Sequence, residues 1–315
     1  MPQLLSAPTR EVRSRIFDSA RWASYRPRPD DIIIGTYSKC GTTWTQRIVA
    51  MLVMKSAAPA PIWDLSPWPD MRLFGPIEET MARAEAMSHR RFFKTHLPYD
   101  SVPIYQGVKV IHVARDGRDA ALSLHNHMAH FTEQARGMAN GVSLGDPKFA
   151  DTLPPTPEDP ADFFHEWLVD GGGMGDPGAS FWEMERSYWA VRREPHVLMV
   201  HYSDLKADRE GEMRRIAAFL DIDIPESLWP RLVEAAGFDA MRKEGAALIP
   251  QASMLWEEGA NTFLNRGVVG GWKAVFRPLD LAAYEASIAR EFTPALGAWV
   301  TCGRLGTQDP RTAAD

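Results

Sequence analysis

The sequence has little cysteine and no excess of basic residues. Its 315 residues include two cysteines, Cys40 and Cys302, which lie far apart in the chain. This spacing excludes a disulfide framework and a cysteine-type zinc motif, and it predicts a reduced, cytoplasmic setting. Lysine and arginine total 35 against 41 acidic residues, so the net charge is −6. Proteins that bind nucleic acid through its phosphates are usually basic, so we do not expect a nucleic-acid partner.

Long apolar runs are also missing. The longest, such as residues 48–54, are far shorter than the roughly 20 residues that cross a bilayer. The segment 1–22 has charges scattered through it and no apolar signal core. We therefore expect no membrane insertion. The hydrophobic content of 45% is that of a globular protein with a substantial core, and we expect residues 1–315 to form a single domain.

What is present is an alternation of short β-branched runs with helix-compatible segments. This pattern predicts an α/β fold, with a mostly parallel sheet covered by helices on both faces. The predicted strands are 31–35, 91–95, 109–114 and 196–201. The predicted helices are 42–54, one starting near 117–119, and 181–193, 209–220, 226–236 and 279–292. Residues 128–160 and 252–271 are rich in Gly, Pro and polar residues and are predicted as long irregular loops, which we interpret as lids over a substrate or cofactor.

The most informative stretch is GTYSKCGTTW, between the first predicted strand and the first predicted helix. Gly41 stands where the chain turns from strand to helix, and successive N–H groups at such a turn form a concave anion site. Lys39 adds a charge, Thr42 and Thr43 add hydroxyl donors, and Trp44 offers a flat face for a nucleobase. The alternative is a plain strand–helix turn with a capping threonine and a core tryptophan.

This stretch differs from the phosphate loop of ATP-binding proteins. That motif is G-x-x-x-x-G-K-[ST], with lysine directly after the second glycine. Here Cys40, Gly41 and Thr42 occupy the closing positions, and the lysine precedes the glycine. Arg115 follows the strand 109–114, where a magnesium-binding aspartate is expected in a nucleotide triphosphatase. The site therefore looks built for phosphate without an essential metal.

A second signal is FFKTHLP, which includes Lys94 and His96. Alternate side chains of a strand share a face, so both residues are expected on one side at the carboxyl end of a strand, where α/β sites form. Histidine, with an unperturbed pKa of about 6.5, is suited to accept a proton at neutral pH. The alternative is a strand-end histidine that is hydrogen-bonded to a loop.

A third signal is VARDGRDAALS, which runs from a strand end into a helix. Arg115 ends the strand, and Ser123 follows eight residues later, one to two turns into the helix. The two side chains can grip one phosphate, for which the forked donors of arginine are well suited. The alternative is a surface turn of arginines and aspartates.

Together these motifs resemble the PAPS-dependent sulfotransferase family. YSKCGTTW resembles its 5′-phosphosulfate loop, approximately PKSGTTW. KTHLP matches the segment that carries its catalytic histidine, and Arg115 and Ser123 fall on the two ligand positions of its 3′-phosphate motif. The resemblance implies that His96 deprotonates the acceptor, that Lys94 steadies the transferred sulfate, and that PAPS is the donor and PAP the product. The loop residues expected to hold the donor are Lys39, Cys40, Gly41, Thr42, Thr43 and Trp44.

Later segments extend the resemblance and also depart from it. It nominates Tyr202 and Phe238, with Trp44, for the adenine, and Asn265, Arg266 and Gly267 for the 3′-phosphate. Asn265 stands where the family has arginine, so one charge is missing or comes from elsewhere. Cys40 replaces a serine, and we hypothesise that its thiol makes the site sensitive to oxidation. The family's dimerisation motif is not recognisable, so the oligomeric state stays open.

The resulting prediction is an enzyme that transfers a sulfuryl group from PAPS, by in-line displacement, to a hydroxyl or amine of a small, apolar or aromatic acceptor. No metal is required. Two alternatives stay open at this stage: a nucleotide-dependent kinase of related fold and a non-catalytic nucleotide-binding module. His125, His127 and His130 are interpreted as surface residues in preference to residues of the acceptor pocket.

Overall fold

Short runs of branched apolar residues form the central sheet. In the computed structural model, which describes residues 2–149, 151–172 and 179–315, four strands pair in parallel in the order β3–β2–β5–β6. A separate antiparallel pair joins β1 to β4. The strands are β1 (Leu4–Ser6), β2 (Ile32–Thr36), β3 (Phe92–Thr95), β4 (Ile104–Tyr105), β5 (Lys109–Ala114) and β6 (Val197–His201).

The predicted parallel sheet is confirmed. β5 has the limits that the sequence predicts, and the other three parallel strands begin one residue later than predicted. Successive residues of β2 point to opposite faces: Ile33 lies in one buried apolar cluster, and Ile32 and Ile34 lie in the other. Helices therefore have to cover both faces, as is usual for parallel sheets. The two-residue and three-residue strands β4 and β1 are too short to be read from the sequence.

Helices lie between and after these strands. Within the described residues no helix combines the length and the apolar character needed to cross a bilayer. The helices are α1 (Thr42–Met54), α2 (Ile62–Leu65), α3 (Ile77–Ala86), α4 (Gly117–Ala129), α5 (Glu133–Leu144), α6 (Pro160–Val169), α7 (Phe181–Ala190), α8 (Tyr202–Ala207), α9 (Arg209–Phe219), α10 (Trp229–Ala235), α11 (Phe238–Lys243), α12 (Gly245–Leu248), α13 (Ala252–Leu255), α14 (Ala260–Phe263), α15 (Pro278–Glu291) and α16 (Pro294–Gly306).

Helix limits agree with the predictions where the apolar periodicity is strong. α1 has the predicted limits, and α15 lies one residue earlier than predicted. The helix predicted over 226–236 is instead a 3-10 turn, Glu226–Leu228, followed by α10, which carries a proline in its first turn. α6 and α16 are not predicted, although each begins with a capping side chain and an N-terminal proline, Asp159–Pro160 and Thr293–Pro294.

The interpretation of residues 128–160 and 252–271 as irregular loops is wrong in part. The first segment contains α5 and the 3-10 turn Pro147–Phe149, and the second contains the one-turn helices α13 and α14. Thr132 joins the two segments, because its N–H donates to the carbonyl of Leu255 (3.1 Å) and its hydroxyl donates to that of Met254 (2.7 Å). These long-range bonds offset the low helix propensity of the glycines and asparagine in α5.

Candidate functional site

The four parallel strands end at one edge of the sheet, and a predicted site residue follows closely after each. His96 comes directly after β3, Arg115 after β5 and Tyr202 after β6, while Lys39 lies in the loop after β2. These residues border a cavity of about 420 Å³. Every predicted site residue except Cys40 lines it: Lys39, Gly41, Thr42, Thr43, Trp44, Lys94, His96, Arg115, Ser123, Tyr202, Phe238, Asn265, Arg266 and Gly267.

The loop from β2 to α1 lines the cavity with Lys39 and Gly41 and leads into the N-terminus of α1. Gly41 has φ of 109°, and a Cβ there would lie 3.0 Å from the ring of Tyr202, so both its conformation and its contact require glycine. Lys39 adopts φ of 67°, a strained value for a residue with a side chain. Gly41 offers no side-chain cap to α1. The first N–H groups of α1 are therefore available to an anion at the positive end of the helix.

Two lysines place their side chains along this cavity. Burial, and then the neighbouring Arg115, lower the pKa of Lys39 to about 7. Burial also lowers the pKa of Lys94 to about 7, against the opposing effect of Asp70. Lys94 Nζ lies 3.4 Å from the ring centroid of Trp68, and Lys39 Nζ lies 4.3 Å from that of Phe263. A bound anion would restore full charge to both lysines.

His96 is held in one tautomer with one nitrogen free. Its Nδ1 lies 2.6 Å from the carbonyl oxygen of Thr36, which can only accept, so Nδ1 carries the hydrogen. Nε2 makes no hydrogen bond with any residue that the structure describes. Burial, and then Lys94, lowers the pKa of His96 well below its ordinary value. The imidazole is therefore neutral, with a lone pair on Nε2 to accept a proton.

Asp70 positions this histidine and was not found from the sequence. Its carboxylate accepts hydrogen bonds from the backbone N–H of His96 (3.2 Å) and from Nε1 of Trp68 (2.8 Å). Trp68 packs edge-on against the His96 ring, with centroids 4.9 Å apart. Burial raises the pKa of Asp70, although these donors favour its charged form. The surrounding segment, SPWPDM, has no periodicity or motif that would have marked it.

Arg115 and Ser123 line the same cavity. Arg115 donates from Nη1 to the Lys39 carbonyl and from Nη2 to the Val268 carbonyl, each at 3.0 Å, so it joins two loops. Its buried Nε has no partner in the described chain. Each terminal nitrogen keeps a second N–H, so the guanidinium retains donors for a further acceptor. Sequence reasoning did not anticipate that the carbonyls hold this side chain in place.

Aromatic residues line another part of the cavity. Trp44 lies edge-on to Tyr202, with ring centroids 5.3 Å apart, and its Nε1 donates to the Ala236 carbonyl at 2.8 Å. Gly267 has φ of 61°, and a Cβ there would lie 2.3 Å from the ring of Phe238. Only glycine therefore allows this loop to approach Phe238. Nearby, Asn265 is half-buried and Arg266 is exposed.

Cys40 does not line the cavity. Its side chain is fully buried, and burial raises its pKa well above the ordinary value for a thiol. The thiolate is the reactive form, so the structure argues against the hypothesis that Cys40 makes the site sensitive to oxidation. Cys40 and Lys39 are neighbours in the chain but only Lys39 lines the cavity, a contrast that the sequence did not reveal.

Thiol labelling tests this correction within one molecule. Cys302 is exposed and Cys40 is buried. We expect an aromatic disulfide reagent to label one thiol per native chain quickly and two after unfolding, because burial withholds both access and thiolate from Cys40. The variant Cys302→Ser should lose the fast phase. A fast phase that persists in Cys302→Ser would show that Cys40 is reactive.

The interpretation of His125, His127 and His130 as surface residues is wrong. All three line the cavity. The Nε2 of His125 is 2.9 Å from the Pro157 carbonyl, and Nδ1 of His130 is 2.8 Å from the Asn126 carbonyl. His127 Nδ1 lies 3.3 Å from Lys39 Nζ. Within residues 2–149, 151–172 and 179–315, no group of three or more His, Cys, Asp or Glu side chains has a metal-binding arrangement.

Known proteins share both sequence and fold with this chain. The sequence pattern of the family described as Sulfotransferase domain matches residues 29–293. A Glycolipid sulfotransferase of Mycobacterium bovis (strain BCG / Pasteur 1173P2) is 32% identical, over 93% of this chain and 94% of its own. Mouse sulfotransferase SULT7A1, whose crystal structure is complexed with PAP, aligns with a TM-score of 0.65 and 20% identity, over 89% of this chain and 90% of its own. A retinol dehydratase in complex with androsterone and inactive cofactor PAP aligns with a TM-score of 0.63 and 20% identity, over 88% of this chain and 84% of its own.

Proposed function

This chain belongs to the sulfotransferase domain family, and we propose that it transfers a sulfuryl group from PAPS to a hydroxyl or amine of a small acceptor, releasing PAP. The observation that carries the proposal is the placement of a neutral His96, with Nε2 free, in one cavity with Lys39, Lys94 and the open N–H groups of α1. The same cavity therefore contains a proton acceptor, His96, and a site suited to a polyanion.

The residues present fit the donor. Burial lowers the pKa of Lys39 and of Lys94 to about 7, and Nε of Arg115 has no hydrogen-bond partner in the described chain, so all three groups have donors available to an anion. A nucleotide with phosphates at both ends and a sulfate would supply matching acceptors. We propose that Lys39 and the first N–H groups of α1 hold the 5′ end. Arg115, Ser123, Asn265, Arg266 and Gly267 would hold the 3′-phosphate, and Trp44, Tyr202 and Phe238 the adenine.

In the proposed reaction, His96 Nε2 accepts the acceptor proton as the acceptor oxygen or nitrogen forms a bond to sulfur. The bond from sulfur to the 5′-phosphate oxygen breaks, and the electron pair leaves with PAP. Lys39 and Lys94 offset the negative charge that develops on the sulfate and the departing phosphate. Thr36 keeps His96 in the required tautomer through its carbonyl, and Asp70 fixes the histidine backbone.

The proposed acceptor has an apolar body and a reactive hydroxyl or amine. Aromatic and aliphatic side chains form much of the cavity wall, among them Trp63, Phe74, Met138 and Leu255. The mycobacterial relative is named for glycolipid, an acceptor with such a body. Residues 128–160 and 252–271 contribute side chains to this wall, and we propose that they act as lids. A cytoplasmic location and a single domain over 1–315 stay predictions.

The nucleotide-dependent kinase and the non-catalytic nucleotide-binding module are the alternatives. Without added metal we expect PAP to raise the melting temperature by several degrees and ATP, at equal concentration, by much less, because Arg115 and Ser123 would grip the 3′-phosphate. The variant Arg115→Ala should reduce the rise in melting temperature that PAP causes. Arg266→Ala should reduce it less, because Arg266 is exposed. Stabilisation by ATP that requires Mg²⁺ and exceeds that by PAP would favour the kinase.

Transfer itself is tested with PAPS labelled in the sulfate. Transfer of label to any member of a panel of phenols, steroids, amines and glycolipids supports the proposal. PAP binding with no transfer to the whole panel would favour the non-catalytic module.

A further inference from the structure

His127 lies where the predicted donor site meets the apolar wall. Its Nδ1 is 3.3 Å from Lys39 Nζ, and its ring lies 4.7 Å from Trp256 and 5.1 Å from Phe131 between centroids. Trp256 also donates from Nε1 to the His127 carbonyl at 3.0 Å, which fixes the backbone beside the ring. The imidazole is therefore held in place both by its aromatic neighbours and by Lys39 in the loop from β2 to α1.

The partner of Nδ1 decides which nitrogen carries the hydrogen. Beside a bound anion Lys39 is an ammonium, which has donors and no acceptor, so Nδ1 of His127 accepts from Lys39 and Nε2 carries the hydrogen. Burial, and then Lys39, lowers the pKa of His127 well below its ordinary value, so the ring is neutral. Its Nε2 makes no hydrogen bond with a residue in the described chain, and the side chain lines the cavity. Among the described residues, this Nε2–H is therefore a donor at the cavity that has no partner.

His96 and His127 are complementary. The free Nε2 of His96 accepts, because Nδ1 donates to Thr36, whereas the free Nε2 of His127 donates. Both rings line the same cavity, and they are close enough that His96 contributes to lowering the pKa of His127. One acceptor and one donor on side chains that line the same cavity suit a molecule with a hydroxyl and a second oxygen nearby.

We propose that His127 is a specificity-determining residue, whose Nε2–H donates to a second oxygen next to the hydroxyl that reacts at His96. The site then selects acceptors with neighbouring oxygens, such as a sugar or polyol headgroup on an apolar body, over monohydroxy alcohols of the same length. This inference rests on the proposed sulfuryl transfer. A monohydroxy acceptor leaves the His127 donor desolvated and unpaired, which is the usual reason that a polar site rejects an analogue lacking one hydroxyl.

The test compares acceptors that differ in one hydroxyl. Transfer from labelled PAPS is measured to 1,2-octanediol and to 1-octanol, which share the same chain, and to octyl glucoside. The quantity compared is the ratio of kcat/KM for the diol to that for the mono-ol. We expect this ratio to be at least about tenfold in the parent, since one satisfied hydrogen bond is worth about that factor.

Two variants separate the ring from the donor. His127→Phe keeps an aromatic ring between Trp256 and Phe131 and removes the donor, so the ratio should fall to about one. His127→Gln keeps an N–H donor at the far end of the side chain, so it should retain part of the preference. Any effect of either variant on donor binding cancels in the ratio, because the diol and the mono-ol are compared with the same variant at the same PAPS concentration.

The possible outcomes distinguish the proposed role of His127 from the proposed sulfuryl transfer. A parent that does not prefer the diol, or a His127→Phe variant that keeps the preference, overturns the inference while sulfuryl transfer stands. A change in PAP affinity with an unchanged ratio would mean that His127 serves Lys39 alone, and it also overturns the inference. No transfer to any of the three acceptors, with PAP still bound, contradicts the proposed acceptor class and this inference with it.

Discussion

Replacing His96 with asparagine should lower kcat by about 10²- to 10⁴-fold, the usual contribution of a general base. The asparagine amide can take the place of Nδ1 and keep the hydrogen bond to the Thr36 carbonyl, so the local structure should be preserved. It offers no lone pair at the position of Nε2 with comparable basicity. The dissociation constant for PAP, measured by calorimetry, should change by less than about threefold, because His96 is neutral and carries no charge to the donor.

Acceptors of different acidity show whether His96 acts as a base or only supports the local structure. An acidic acceptor such as 4-nitrophenol is ionised to about one half at neutral pH and needs little help from a base, whereas an alcohol is not ionised and needs one. The loss in His96→Asn should therefore be large for the alcohol and small for the nitrophenol. His165→Asn is the matched control, since His165 is 61% exposed and lies outside the cavity. An equal loss for both acceptors would contradict the role of His96 as a base.

The part of the site that follows directly from strand ends could be predicted from the sequence. β2, β3, β5 and β6 are short runs rich in branched and aromatic residues, and parallel strands bring the residues after them to one edge. Lys39, His96, Arg115 and Tyr202 occupy such positions. The proximity of these four residues therefore follows from the sheet topology and can be predicted without knowledge of any side-chain contact.

Residues that reach the site from elsewhere could not be predicted. Asp70 and Trp68 lie in an aperiodic segment, and only tertiary contacts bring them to His96. The three histidines of the α4 region lie within six residues of one another, and the sequence does not show that all of them face a cavity. α5 has glycines that lower its helix propensity, and it forms against residues far along the chain.

Affinity for PAP should fall as the pH rises above about 7. In the free protein burial lowers the pKa of Lys39 and of Lys94 to about 7, whereas beside a bound anion each should return towards the ordinary value of about 10.4. The bound state therefore holds more protons between these values, and binding takes up protons there. The association constant should fall by up to about tenfold per lysine for each pH unit above 7, and it should level off below 7, where both lysines are already charged.

Neighbouring groups do not share this pH window. The pKa values of His96 and His127 are lowered well below their ordinary value, and that of Tyr202 is raised above its own. Calorimetry at pH 8 in two buffers of different ionisation enthalpy should therefore report an uptake of about two protons. Lys39→Arg keeps a permanent charge, since arginine stays protonated. This variant should take up about one proton on binding PAP, and the slope of the logarithm of its association constant against pH should be halved. A pH-independent affinity between 7 and 9 would show that the buried lysines are already charged before the nucleotide binds.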